Sequence, residues 1–161
     1  MLKIFNELKP FFNDTYREIS VREFAKEIKV TPPTASTILK KYEQEKILKK
    51  REFKRNLLFR VNKENDLFEN LAKIFWKTLL RGELENLHKK AAYKQIILFG
   101  SIAKTENTNK SDMDLFINIP KKQINTRTIE KKLKREIQLH FKEELANKNL
   151  KNNIQKGIKI F

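Results

Sequence analysis

Two aspartates one residue apart, Asp112 and Asp114, follow the run Ile96-Ile97-Leu98-Phe99-Gly100-Ser101 after a short polar stretch. An apolar run that ends in Gly-Ser, then Ser111-Asp112-Met113-Asp114-Leu115-Phe116-Ile117, reads as strand, tight turn, strand. Alternation along a strand sends positions i and i+2 to one face. The two carboxylates therefore project together, while Met113, Leu115 and Ile117 face a core. Adjacent carboxylates repel unless a cation sits between them, and a hard divalent cation such as Mg²⁺ is commonly held by one or two carboxylates plus substrate phosphates. Gly100 lets backbone approach a phosphate closely, and Ser101 offers a hydroxyl and an N–H to a phosphate oxygen. A surface hairpin with a solvated Asp pair is the plainer reading of the same residues.

The arrangement Gly100-Ser101, ten residues, Asp112-x-Asp114, with apolar flanks Ile96–Phe99 and Leu115–Ile119, resembles the signature of the nucleotidyltransferase superfamily that includes DNA polymerase beta. In size and spacing it is most similar to the minimal nucleotidyltransferases. The resemblance implies a catalytic core built around a small mixed sheet, with Asp112 and Asp114 as catalytic residues and ligands of Mg²⁺. Gly100, Ser101 and Lys104 would bind the nucleotide, taken to be ATP, and AMP would pass to a hydroxyl acceptor. Lys104 also reads simply as an exposed lysine. Some minimal members act as antitoxins whose acceptor is a helical toxin protein, so the resemblance names such a protein as a candidate partner. Active members supply a third carboxylate from a neighbouring strand. Aligned on Lys142-Glu143-Glu144-Leu145, that position falls on Gln138, whose amide is neither an anionic ligand nor a base. Glu136 and His140 lie on the same strand face and are the other candidates, His140 by its near-neutral pKa. An ordinary polar strand residue is the competing reading of His140.

Further elements must hold these residues. The pattern predicts a helix over Thr126–Arg135 with Ile129 and Leu133 inward, a strand over Glu136–Phe141, a helix over Glu143–Gln155 and a closing strand over Gly157–Phe161. Upstream, Leu67, Phe68, Leu71, Ile74, Phe75 and Leu79 recur at helical spacing, with Trp76 beside them as a core or interface aromatic. Arg81-Gly82 is expected to end that helix, and Glu83–Ala92 to form another. This divides the chain into residues 1–62, linking helices over 63–92, and a nucleotidyltransferase domain over 93–161.

Residues 1–62 read as three helices and two strands. Ser20-Val21-Arg22-Glu23 is a capping box, followed by Val21, Phe24, Ala25 and Ile28 at helical spacing. Thr31 is an N-cap with Pro32 at the first helical position. The next helix carries Ala35, Ile38, Leu39 and Tyr42 inward and leaves Thr34, Thr37, Lys40, Lys41 and Gln44 outward. A hairpin with Lys54 and Arg55 at its tip follows. The whole resembles a winged helix-turn-helix domain, which implies DNA contacts by Thr34, Thr37, Lys40, Lys41, Lys54 and Arg55. Winged helices also serve as protein-binding modules. The expected fold class is thus α/β in the broad sense, α+β in detail.

Composition bounds these readings. The 161 residues carry a formal net charge of +16, which favours a polyanionic or phosphate-bearing partner, although coding bias toward lysine is a rival cause. There is no cysteine, so disulfides and thiolate metal sites are excluded. No segment approaches the roughly 20 apolar residues of a membrane span, so no membrane partner and a cytoplasmic location are expected. A nucleotidyltransferase is the leading functional expectation. The alternative is a DNA-binding transcriptional regulator whose nucleotide site is degenerate.

Overall fold

A computed structural model describes residues 2–91 and 95–161. The expected helix end at Ala92 and domain start at residue 93 lie outside the described residues. The fold is α+β and separates into two units, Met1–Ala72 with Asn107–Asn109, and Lys73–Glu106 with Lys110–Phe161.

In the first unit α1 (Lys3–Asn13) precedes a short β1 (Ile19–Ser20), α2 (Val21–Ile28), α3 (Pro32–Gln44) and the hairpin β2 (Leu48–Phe53) and β3 (Asn56–Val61). The capping box forms as the sequence predicts: the Ser20 hydroxyl accepts from the Glu23 N–H, and the Glu23 carboxylate accepts from the Ser20 N–H at 2.8 Å. The Ser20 hydroxyl, 2.7 Å from the same carboxylate oxygen, and then the Ser20 N–H hold the Glu23 carboxyl below the usual carboxylate range. Thr31 caps α3, with Pro32 in its first turn. Between the two helices, Lys29 takes a left-handed conformation that ends α2. Strand β1 was not expected from the sequence. At two residues it is too short to show alternation, yet it pairs antiparallel with β3 (Ile19 opposite Phe59) and completes the sheet in the order β1-β3-β2. This is winged-helix topology. Phe11, Phe12, Phe24, Leu39, Tyr42 and Phe59 fill its core, and the Tyr42 hydroxyl bonds Glu7. Asn107, from the polar stretch after Ser101, is buried in this unit and donates to the carbonyls of Phe12 and Asn13, both at 3.0 Å.

Helix α4 (Asp66–Ala91) runs unbroken through Arg81-Gly82, where the sequence predicts an end. Glycine is only a weak helix breaker, and tertiary packing overrides it. The buried stripe also differs from expectation. Phe68, Ala72, Phe75, Trp76, Leu80 and Leu84 are buried, whereas Leu67 and Ile74 are exposed. A helix longer than seven turns drifts away from any stripe chosen over a few turns.

The second unit continues with β4 (Ile96–Phe99), a one-turn α5 (Gly100–Ala103) in place of the expected tight turn, β5 (Met113–Ile117), α6 (Arg127–Leu133) and β6 (Ile137–Phe141). A 3₁₀ turn (Lys142–Ala146), α7 (Lys148–Gln155) and β7 (Ile158–Lys159) follow. The predicted helix over Glu143–Gln155 is therefore broken. The Asn147 side chain caps α7 by accepting from the N–H groups of Asn149 and Leu150, which makes a new start there rather than a continuation. Helix α6 is shorter than predicted and buries no residue fully; Ile129 and Leu133 are half-buried.

The sheet is mixed, in the order β6-β5-β4-β7, with only β5 and β6 parallel among these pairs. Met113, Leu115 and Ile117 are buried as predicted, but so is Phe116 on the other face, packed with Ile97, Phe99 and Ile154. Both faces are covered, so β5 reads as a continuous apolar run interrupted only by its aspartate.

Gly100 has φ +73°, and a Cβ there would lie 2.0 Å from Asp114 Oδ2. By contrast, a Cβ at Gly82 would meet nothing within 4 Å. Opposite outcomes are expected in urea denaturation: Gly100→Ala destabilises by about 1–3 kcal/mol, and Gly82→Ala stabilises by roughly 0.5–1 kcal/mol.

Candidate active site

Strand register brings the site together. Asp114 stands between Phe99 of β4 and Gln138 of β6. Phe99 is the last residue before Gly100, so the sharp exit of β4 passes directly against the Asp114 carboxylate. Only a residue without a side chain allows that approach. Ser101 follows, half-buried in the first turn of α5.

Asp112 lies one residue before β5 and is half-buried. Its Oδ2 accepts from Gln138 Nε2 at 2.6 Å. The amide thus stabilises an aspartate at the position where the resemblance leads one to expect a carboxylate. His140, two residues along β6, has Nε2 3.6 Å from Asp114 Oδ1, beyond hydrogen-bond reach, and Nδ1 2.8 Å from Glu144 Oε2. Its ring meets Phe99 edge-on at 5.0 Å. The Asp114 carboxylate, with Glu144 adding, raises the imidazole pKa above its ordinary value against the opposing effect of burial. Burial pushes Glu144 up, but the His140 bond and the Phe141 N–H outweigh it and hold the carboxyl below its usual range.

Gly100, Asp112, Asp114, Gln138 and His140 therefore converge. Glu136 and Lys104 do not join these contacts: both are exposed, Glu136 just before β6 and Lys104 just past α5. Among the described residues no group of three or more His, Cys, Asp or Glu is arranged to hold a metal ion. Two carboxylates on one face nonetheless suit a divalent cation whose remaining ligands are phosphate oxygens and water.

Sequence reasoning missed Glu144 and Arg135. Glu144 follows His140 by four residues, a spacing that could have flagged it. Arg135 is buried and donates to the Ser111 carbonyl at 2.5 Å, beside Asp112. Nothing in its Lys-rich surroundings distinguishes it.

In the first unit Thr34, Thr37, Lys40, Lys41 and Gln44 all lie on the exposed side of α3, and Ala35, Leu39 and Tyr42 are buried. Lys54 and Arg55 form the exposed hairpin tip, with φ of 46° and 62°. Two consecutive left-handed residues are the mark of a type I′ turn.

No helix among the described residues is long and apolar enough to cross a membrane. No curated protein gives a significant match to the chain. A solved structure, the crystal structure of MepR, a transcription regulator of the Staphylococcus aureus multidrug efflux pump MepA, is 24% identical over 53% of this chain and 69% of its own, with a TM-score of 0.40. Residues 83–161, just under half of the chain, match the family model described as Polymerase beta, Nucleotidyltransferase. The Gly-Ser exit, the Asp pair and strand β6 all fall within the range that is similar to that family's model.

Proposed function

We propose that the protein transfers AMP from ATP to a hydroxyl acceptor, with Mg²⁺ held by Asp112 and Asp114. The observation that carries this reading is the packing of Gly100 against Asp114, which puts the start of α5 beside the acidic pair. Bound there, the cation would neutralise charge on the triphosphate and orient the acceptor. Ser101 would hold the triphosphate tail through its hydroxyl and N–H, and Lys104 would add a counter-charge. Gln138 fixes Asp112, while His140, oriented by Glu144, borders Asp114. The acceptor hydroxyl would attack the α-phosphorus in line, giving up its proton to solvent as the bond to phosphorus forms, and pyrophosphate would leave. The acceptor we favour is a hydroxyl on a helical toxin protein, which makes this chain an antitoxin. A cytoplasmic location follows from that role.

A second reading rests on the first unit: a regulator that binds duplex DNA through α3 and the hairpin, with a degenerate nucleotide site in the second unit. Its support is the hairpin tip. A residue other than glycine in the left-handed region costs roughly 1–2 kcal/mol, and type I′ turns prefer Asn-Gly. Two basic side chains stand there instead. The half-exposed Phe53 ring beside them lies 5.1 Å from the Arg51 guanidinium and 5.3 Å from the Lys54 ammonium. Such a tip suits a phosphate backbone better than it suits hairpin stability.

Three measurements check these readings. With ATP, Mg²⁺ and the partner toxin, the chain is expected to release pyrophosphate and add one AMP to the toxin by mass spectrometry. Asp112→Asn or Asp114→Asn is expected to lower the rate about a hundredfold or more, whereas calorimetry showing no ATP binding at millimolar Mg²⁺ would sink the proposal. Gln138→Asp restores a third carboxylate. It is expected to raise kcat roughly ten- to hundredfold and to make the melting temperature more dependent on Mg²⁺ than in the parent, since three carboxylates then share one face. For the DNA reading, the pair Lys54→Asn with Arg55→Gly is expected to stabilise the fold by about 1–2 kcal/mol while weakening duplex binding in low-salt gel shifts. Unchanged binding there would count against a role for the tip.

A further inference from the structure

Asp112 stands outside strand β5, yet its backbone is held on both sides by one turn. The Ser111 carbonyl before it accepts from Arg135, and the Met113 N–H after it donates to the Glu136 carbonyl at 2.9 Å. Arg135 is 7% exposed, and its guanidinium lies over the ring of Trp76, 5.6 Å from the centroid. Its own N–H donates to the Glu130 carbonyl, and the Glu130 carboxylate accepts from the Ile137 N–H and the Thr126 hydroxyl. Lys134, just before it, takes the left-handed conformation that ends α6 and sets this turn. A buried guanidinium is retained only where its donors are used, since an unpaired buried charge is costly.

We propose that Arg135 is a positioning residue for Asp112: seated on Trp76, it clamps the Ser111 carbonyl and so sets the angle at which the Asp112 carboxylate meets the cation and its nucleotide. This rests on the nucleotidyltransferase reading of the aspartate pair. Asp114 needs no such clamp, because it lies inside β5 and is paired on both sides. The clamp also ties the chain's single tryptophan to the site, so Trp76 emission reports on Asp112. Lysine keeps the charge of Arg135 but loses the planar fork and the stacking face.

The test titrates Mn²⁺ into the full chain with a non-hydrolysable ATP analogue. Bound ion is followed by electron paramagnetic resonance, Trp76 by its emission, and folding by thermal melts. The parent is expected to bind Mn²⁺ with a change in Trp76 emission. In Arg135→Lys, affinity is expected to fall about tenfold and the emission change to vanish, with cooperative melting kept. Combined with Asp112→Asn, Arg135→Lys should add nothing further; combined with Asp114→Asn, the two losses should add. Parent-like affinity in Arg135→Lys, or additivity with Asp112→Asn, overturns the positioning role alone. A parent chain that binds neither Mn²⁺ nor the nucleotide overturns the aspartate reading itself. Should Arg135→Lys lose cooperative melting, Trp76→Phe decides by the same ion titration: weakened affinity in a folded protein supports the clamp, and unchanged affinity overturns it.

Discussion

Repulsion between two carboxylates on one face of a sheet is the constraint around which the second unit is organised. Asp114 is fixed inside β5, and Asp112, one residue before that strand, is held by the amide of Gln138, the residue opposite Asp114. Their surroundings answer that repulsion piecemeal. An amide donates to Asp112, an imidazole borders Asp114, and a buried guanidinium sits one peptide away from Asp112. Even the backbone yields, since β4 leaves the sheet through a glycine with positive φ because Asp114 fills the space a side chain would need.

The third position shows how one residue changes the character of such a site. A carboxylate opposite Asp114 would add a third negative charge and make the site strongly dependent on metal. Gln138 removes that charge and uses its N–H on Asp112. The apo site is quieter as a result, at the expense of an anionic ligand and a base. His140 with Glu144 places a second polar pair one strand step further on, where it influences Asp114 and leaves Asp112 alone.

Much of this was legible in the sequence where local chemistry and fold agreed. The capping box at Ser20, the Thr31 cap with Pro32 and the burial of Met113, Leu115 and Ile117 all follow from patterns a few residues long. What escaped detection depends on distant partners. Strand β1 exists because β3 lies beside it. Gly82 stays helical because the residues around it are packed, and the break at Asn147 depends on one side chain turning back to cap a helix. Arg135 is the clearest case. Its role comes from Trp76 and Ser111, respectively 59 and 24 positions earlier in a chain where lysines and arginines are everywhere.

The overall charge says less about partners than its size suggests. Most of the positive excess falls after residue 72, in the second unit, and less of it in the first. Salt-sensitive affinity for a polyanion would therefore not by itself implicate α3 or the hairpin, because exposed lysines on either unit produce it. Conformation discriminates better than charge. A lysine and an arginine held in the left-handed region at a hairpin tip are there despite an unfavourable backbone, whereas lysines along α6 and α7 sit on helices that accept them readily. Where a basic side chain is retained against local preference, the case that its charge has a use is strongest. Lys29, Lys46 and Lys134 are left-handed too, each a single residue just past a helix, whereas Lys54 and Arg55 are two in succession at an exposed hairpin tip, and that pairing is what marks them.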